Sequence, residues 1–162
     1  MFRKALDDYQ LTSIDMGETR FVLFGPGTAS CVGTQGLAGC TAVMIVSSYA
    51  VIISHIPPTS NAGNDMNRIE GLYRHHQQWF PRASSDIVGA ADGSVLLIGP
   101  KANIIMSRLS QMGIQPRIHL YDPRPSSQEF AGRGTVLVDS RGSAINIYIE
   151  DRLVDRIVKP LQ

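Results

Sequence analysis

Cysteine is scarce in this chain: Cys31 and Cys40 are the only two in 162 residues. Two thiols are too few for a disulfide scaffold and cannot by themselves hold a structural zinc ion. An excess of one charge is also lacking, since 15 Lys and Arg face 14 Asp and Glu for a net charge of +1. Nucleic-acid and anionic-membrane surfaces usually rest on a basic excess or a clustered basic patch. Neither is visible, so no nucleic-acid and no membrane partner is expected. Long hydrophobic runs are missing too. The longest, Ala42 to Val46 and Tyr49 to Ile53, fall far short of a membrane span. The opening Met1-Phe2-Arg3-Lys4-Ala5-Leu6-Asp7-Asp8 breaks into acids before an apolar core forms, so it does not read as a secretory signal. These absences predict a cytoplasmic protein with both thiols reduced.

Familiar cofactor and nucleophile motifs are absent as well. Gly25-Pro26-Gly27 lacks the third glycine of a dinucleotide loop, and there is neither a glycine-lysine-serine/threonine phosphate loop nor a glycine-x-serine-x-glycine elbow. His75 and His76 are adjacent and cannot share a helix face as ligands, and with His119 they read as core or boundary histidines. None of these motifs marks a cofactor or metal site.

What is present is a globular composition, 43% hydrophobic and 18% charged, without repeats, charge blocks or long linkers. Residues 1–162 read as one domain, with residues 1–18 as a polar, frayed entry. Thr19–Phe24 is the first expected strand, followed by a loop of small residues from Thr28 to Gly39. Thr41–Val46 and Ala50–His55 are apolar, β-branched runs without strict alternation, as in strands covered on both faces. Asn64-Asp65 is expected to cap a helix running to about Trp79, with Met66, Ile69, Tyr73, His76 and Phe80 as its buried stripe.

Strands near Asp86–Ala91 and Ser94–Ile98 flank an Asp92-Gly93 turn. Pro100 then opens a second helix with Ala102, Ile105, Leu109 and Met112 on its stripe and Gly113 as its stop. Arg117–Tyr121 reads as a strand and Asp122–Arg133 as a loop. Thr135–Asp139 and Ala144–Glu150 read as a last hairpin across Arg141-Gly142. The fold class is α+β: a β-sandwich-like arrangement of mixed or antiparallel sheets built from hairpins and flanked by two main helices.

The chemistry-bearing segment is Thr34-Gln35-Gly36-Leu37-Ala38-Gly39-Cys40, followed by the two apolar runs and His55-Ile56-Pro57-Pro58. A small-residue loop leaves backbone N–H groups uncovered beside a thiol, as an oxyanion hole requires. An imidazole touching that thiol can take its proton and return it to a leaving amine. A turn centred between Ser47 and Ser48 pairs Val46 with Tyr49 and, further out, Cys40 directly with His55. Two readings of Cys40 stand at this point: a buried packing residue, as free cysteines usually are, or a nucleophile.

These residues resemble the CheD family of bacterial chemoreceptor glutamine deamidases. Thr34 stands six residues before Cys40, as in that family; Gly36-Leu37-Ala38-Gly39-Cys40 is similar to its GLGSC, and His55 to its histidine after a hairpin two residues longer. Ile98-Gly99-Pro100-Lys101-Ala102-Asn103 looks like the family's helix start and Gly132-Arg133 like its glycine-arginine segment, so the resemblance spans Phe21 to Glu150. The family's glycine-glycine-alanine segment is missing, Ile56-Pro57-Pro58 is one residue tighter than the usual linker, and the tryptophan-bearing helix from Asn64 looks more like a eukaryotic, fungal relative. The cytotoxic-necrotizing-factor toxins share the cysteine–histidine plan.

The resemblance implies Cys40 as nucleophile, His55 as base and then acid, Thr34 as the residue orienting His55, and Gly39 as backbone support for the oxyanion. It implies a protein substrate presenting a glutamine side chain, and no cofactor. A CheD-like interaction module without catalysis, and a related thiol amidase or transglutaminase, are the alternatives.

Overall fold

The computed structural model describes residues 1–8, 10–25, 30–91, 100–123 and 134–161. The elements follow the order α1 (Phe2–Asp7), β1 (Leu11–Ser13), β2 (Thr19–Leu23), β3 (Cys31–Thr34), β4 (Thr41–Val46), β5 (Ala50–Ile56), α2 (Ala62–His75), β6 (Ser84–Ala90), α3 (Pro100–Gln111), β7 (Pro116–Tyr121), β8 (Val136–Asp139), β9 (Ala144–Ile149) and β10 (Arg152–Val158). The strands form two five-stranded sheets, β1-β3-β8-β9-β10 and β2-β5-β4-β6-β7. Both are mixed: β1 runs parallel to β3 and β7 parallel to β6, and the remaining pairs are antiparallel. The α+β class expected from the sequence is the class observed.

Alternation along the strands sorts the apolar side chains into layers. Ala42, Met44, Val46, Val51, Ile53 and Val88 of one sheet meet Val32, Val136, Val138, Ile145 and Ile147 of the other in the central core. The opposite face of the second sheet carries Val43, Ile45, Ile52 and Ile87 against Met66, Ile69, Ile105 and Leu109 of the two long helices. All of β4 and β5 is buried, which explains why their sequences run apolar without alternation. Phe2 and Ala5 of α1 cover Cys31 and Leu137 on the outer face of the first sheet.

Several expectations are corrected. Residues 2–7 and 11–13 form α1 and β1 and pack against the first sheet rather than fraying. The stretch from Thr28 to Gly39 is not all loop, because Cys31–Thr34 is a fully buried strand. Its Cys-Val-Gly-Thr sequence hides it, and Gly33 is there for space: a Cβ would lie 2.4 Å from the Val136 carbonyl oxygen and 3.0 Å from the Phe2 ring.

The α2 cap is Asn61, whose side chain accepts the Asn64 N–H, and not Asn64-Asp65. The helix ends at His75, and Gln77–Trp79 continues only as a short 3-10 turn. His76 is half-buried and stacks on Phe21 at a centroid distance of 3.7 Å. β9 does not end the sheet. Glu150 and Asp151 both take positive φ, 48° and 61°, in a two-residue turn that leads into β10. Glu-Asp is not the Asn-Gly pair that announces such a turn. The Asp92-Gly93 turn, the Ser94–Ile98 strand and most of the Asp122–Arg133 loop lie outside the described residues.

A charged cluster closes one open side of the sandwich. Asp86 of β6, fully buried, accepts bidentate bonds of 3.0 and 2.9 Å from Arg117 of β7 and a third contact of 2.7 Å from His119 Nε2. Arg117 also reaches Asp155 of β10 at 2.7 Å, joining the edge strands of the two sheets.

Two glycines make opposite predictions. Gly33→Ala is expected to destabilise the chain by roughly 1–3 kcal/mol in urea unfolding, because backbone must move to admit the methyl group. Gly71→Ala, in α2 with nothing within 4 Å of the added Cβ, is expected to stabilise by about 0.5–1 kcal/mol.

Candidate functional site

Thr34 and His55 meet across the sandwich. Thr34 ends β3 in the first sheet and His55 lies near the end of β5 in the second, and both side chains point into the layer between the sheets. Thr34 Oγ1 donates to the Ile14 carbonyl at 2.7 Å and lies 2.7 Å from His55 Nδ1. With its only proton given to Ile14, the hydroxyl can only accept from the ring, so Nδ1 carries hydrogen and Nε2 is the open acceptor. His55 is 3% exposed and its Nε2 has no hydrogen-bond partner. The backbone of His55 is tied on both sides to the loop before β2: its N–H donates to Glu18 and its carbonyl accepts from Gly17.

Cys40 does not sit directly opposite His55. The β4–β5 register pairs Ala42 with His55 and Val46 with Val51, two residues from the expected pairing. Ser47 explains the shift. Its hydroxyl accepts the N–H groups of Tyr49 and Ala50 at 3.0 and 3.1 Å and donates to the Trp79 carbonyl at 2.6 Å. The turn is thereby centred on Ser48-Tyr49. The loop count stays even, so the parity survives: Cys40, two residues before Ala42, is the diagonal neighbour of His55 on the same face. Cys40 belongs to the central core at 4% exposure, just outside the strand, after Gly39 at φ 93°. Its thiol is not hydrogen bonded to His55 Nε2.

Tyr121, which sequence reasoning placed only as the end of a strand, holds the Cys40 loop. Its hydroxyl accepts the Gly39 N–H at 2.8 Å and lies 2.7 Å from both the Leu37 and Cys40 carbonyl oxygens. The Cys40 N–H donates to Leu37. The Gly39 N–H expected to support an oxyanion is therefore engaged by a side chain, and the neighbouring Cys40 N–H by its own loop.

Burial dominates the electrostatics. It pushes the Cys40 thiol above its ordinary value, while the Lys101 ammonium acts in the opposite direction. Burial also pulls the His55 imidazole below its ordinary value, against the nearby Ile14 carbonyl and the Asp15 carboxylate. Thiol and imidazole thus stand as a neutral pair. Tyr121 is pushed up to about 12, chiefly by burial. Cys31, 0% exposed and 3.5 Å from the Asp139 carboxylate, is also pushed up to about 12, by burial and by that negative charge. Its place on the outer face of the first sheet separates it from Cys40.

Other candidates take structural places. His119 belongs to the Asp86 cluster, and His76 stacks on Phe21. Among the described residues no group of three His, Cys, Asp or Glu could hold a metal ion, and no helix is long and apolar enough to cross a membrane. Two grooves share Ser48, Tyr49, Lys159 and Pro160 at the closed end of the β4–β5 hairpin, the end remote from Cys40. Compared with protein-family models and with curated proteins, the chain finds no match.

Two predictions follow from these environments. In peptide-resolved alkylation at neutral pH, Cys40 should react well before Cys31, because Cys31 is fully enclosed and faces a carboxylate. The second concerns pH. The ordinary value for His55 is 6.5 and folding lowers it, so the unfolded chain binds the extra proton first. The stability carried by the neutral ring is complete above that value and is lost as pH falls through the lower, folded-state value. His76 is shifted in the same direction, so the comparison is made between the wild type and His55→Asn, both retaining His76. The variant should show a flatter stability profile between about pH 5 and 7.

Proposed function

We propose that this chain is a cysteine-dependent amidohydrolase, a protein-glutamine deamidase of the kind the CheD resemblance implies, acting through Cys40, His55 and Thr34. One observation carries the reading: a buried histidine whose Nδ1 is held by Thr34 at 2.7 Å and whose Nε2 is left without a partner, on the strand face that also carries Cys40. A buried polar atom without a partner costs about 1–3 kcal/mol; Ser84 Oγ and Ser85 Oγ share that state, but His55 Nε2 is the one of the three that is a base and lies on the face carrying Cys40. A proton acceptor beside a thiol can activate it.

In the reaction, His55 Nε2 takes the Cys40 proton as Sγ attacks the side-chain carboxamide carbon of a glutamine. The tetrahedral intermediate collapses when the imidazolium returns that proton to the departing nitrogen, which leaves as ammonia. Water, deprotonated by the same Nε2, then cleaves the thioester, giving glutamate and the free thiol. Thr34 keeps the proton on Nδ1 throughout, and Ile14 keeps Thr34 pointing the right way. The substrate carbonyl oxygen competes for the Gly39 N–H with Tyr121 and for the Cys40 N–H with Leu37. Binding of the glutamine side chain and loosening of this loop are one event.

A CheD-like interaction module is the second reading, favoured by the enclosure of Cys40 and the occupied N–H groups. Incubation with a panel of glutamine-bearing proteins separates the two. The enzyme reading expects ammonia release and conversion of Gln to Glu, abolished by Cys40→Ser. His55→Ala should lose about as much activity as Cys40→Ser, because nucleophile and base act as a unit, with a smaller loss for Thr34→Ala. A panel without Cys40-dependent conversion overturns the reading and leaves the module.

A further inference from the structure

Lys101 occupies an unfavourable place for a cation. It is the second residue of α3, where the helix presents its positive end, and no acidic residue stands in that first turn. Among the described residues it has no carboxylate partner at ion-pair distance. Its ammonium instead donates to the Pro57 carbonyl at 2.6 Å, the Pro58 carbonyl at 3.2 Å and Ser60 Oγ at 3.0 Å. All three donors are spent on neutral acceptors of one turn, so the charge is held in place without being neutralised.

That turn directly follows the His55 strand. Thr41 and Ile56 are the last pair of β4 and β5, so Cys40 and Pro57 come next at the open end of the hairpin. An ammonium seated on the Pro57 carbonyl is therefore seated at the Cys40 end. The clamp also extends away from Lys101. Ser60 Oγ donates to buried Asp65 at 2.5 Å, Asp65 accepts from Arg68 at 2.7 Å, and Arg68 donates to the Gly17 carbonyl at 2.9 Å. The Gly17 N–H in turn holds the His55 carbonyl at 2.7 Å. A hydrogen-bonded chain from α3 thus runs through the turn after His55 and returns to the His55 carbonyl.

We propose that Lys101 is a positioning residue of the Cys40–His55 site, clamping the Pro57–Ser60 turn behind His55 and holding a fixed positive charge toward which Cys40 ionises. The inference rests on the reading of Cys40 and His55 as a reacting pair. The ammonium opposes the effect of burial on the Cys40 thiol, in keeping with this placement. The titratable groups beside the pair are Lys101 on α3 and Tyr121 on β7 at Cys40 and Asp15 before β2 at His55, with Asp65 and Arg68 of α2 one serine beyond Lys101. Of the groups beside the pair, Lys101 is the basic side chain whose charge opposes the effect of burial on Cys40.

The test reads the thiol itself, without substrate: iodoacetamide labelling of Cys40 across pH in the full chain, resolved from Cys31 by peptide mass. Lys101→Met should move the midpoint of the profile to higher pH and slow labelling at neutral pH about fivefold. Lys101→Gln, which keeps a donor for the carbonyls but not the charge, should do the same and stands in if the Met variant does not fold. Lys101→Arg should retain most of the wild-type profile. Ser60→Ala, which removes one leg of the clamp with the charge kept, should leave the midpoint in place. A midpoint unchanged in both neutral variants overturns the proposal. So does a midpoint moved as far by Lys101→Arg as by Lys101→Gln, which would be a packing effect. Because no glutamine is turned over, failure here is distinguishable from failure of the deamidase reading, which rests on Cys40-dependent conversion of Gln to Glu.

Discussion

Six residue pairs, from Thr41 with Ile56 to Val46 with Val51, hold together the two strands that lie deepest in the molecule. Both faces of this hairpin are covered, one by the opposite sheet and the other by the two long helices. A slip by one residue would exchange those faces and move His55 from the layer between the sheets to the layer under the helices. Pairing is thus fixed by burial on both sides and pinned at the turn by Ser47. Its hydroxyl, receiving two amides and reaching Trp79, ties the turn to the segment after α2. The site at the open end inherits its geometry from that distant serine.

Among the described residues three buried side-chain polar atoms lack a partner: His55 Nε2 at this open end, and Ser84 Oγ and Ser85 Oγ, whose pairing with Val46 and Ile45 places them at the closed end. Most polar groups in the core are satisfied: Thr34 by Ile14 and His55 Nδ1, and Asp86 by Arg117 and His119. His55 Nε2 is not. Low dielectric surroundings make a neutral thiol and a neutral imidazole the stable pair, and they also strengthen the pull of a nearby fixed charge once the thiol ionises. In the enzyme reading, Lys101 and the Asp65–Arg68 pair therefore bear on the chemistry although they lie outside the central core.

Much of this was legible in the sequence, and the failures have identifiable causes. The apolar runs at 41–46 and 50–55, the α3 stripe of Ala102, Ile105 and Leu109, and the β8–β9 hairpin follow from periodicity and side-chain type. Strand β3 was hidden because Gly33 is required by a steric contact with Val136 and not by a turn. Strand β10 was hidden behind a left-handed Glu-Asp turn without glycine or asparagine. The register differs from the expected one because Ser47 brackets the turn with its hydroxyl and so moves the centre from Ser47-Ser48 to Ser48-Tyr49. Spacing and the resemblance single out Thr34, Cys40 and His55; the structure joins Thr34 to His55 and places Cys40 diagonally from it rather than opposite. Tyr121 and the Ser60–Asp65–Arg68 chain were not legible, because they act through contacts 81 and 51 residues apart that no local pattern encodes.

These long-range contacts bear on how a buried pair could react. The Cys40 loop is pinned by one phenol, whose hydroxyl serves the Gly39 N–H and the carbonyls of Leu37 and Cys40, by the Leu37 N–H on the Gly134 carbonyl and by the buried Leu37 side chain. The His55 side is pinned by paired strands, by the loop at Gly17 and Glu18, and by the Lys101 clamp. Opening therefore costs less on the cysteine side, where a few loop hydrogen bonds and one leucine contact would be exchanged, than on the histidine side, where a sheet would have to part. In the enzyme reading the base is the fixed partner and the nucleophile loop is the part that yields to substrate. This division suits the chemistry, because the proton acceptor must be oriented before the thiol arrives, whereas the thiol must be reached by a group from outside the protein.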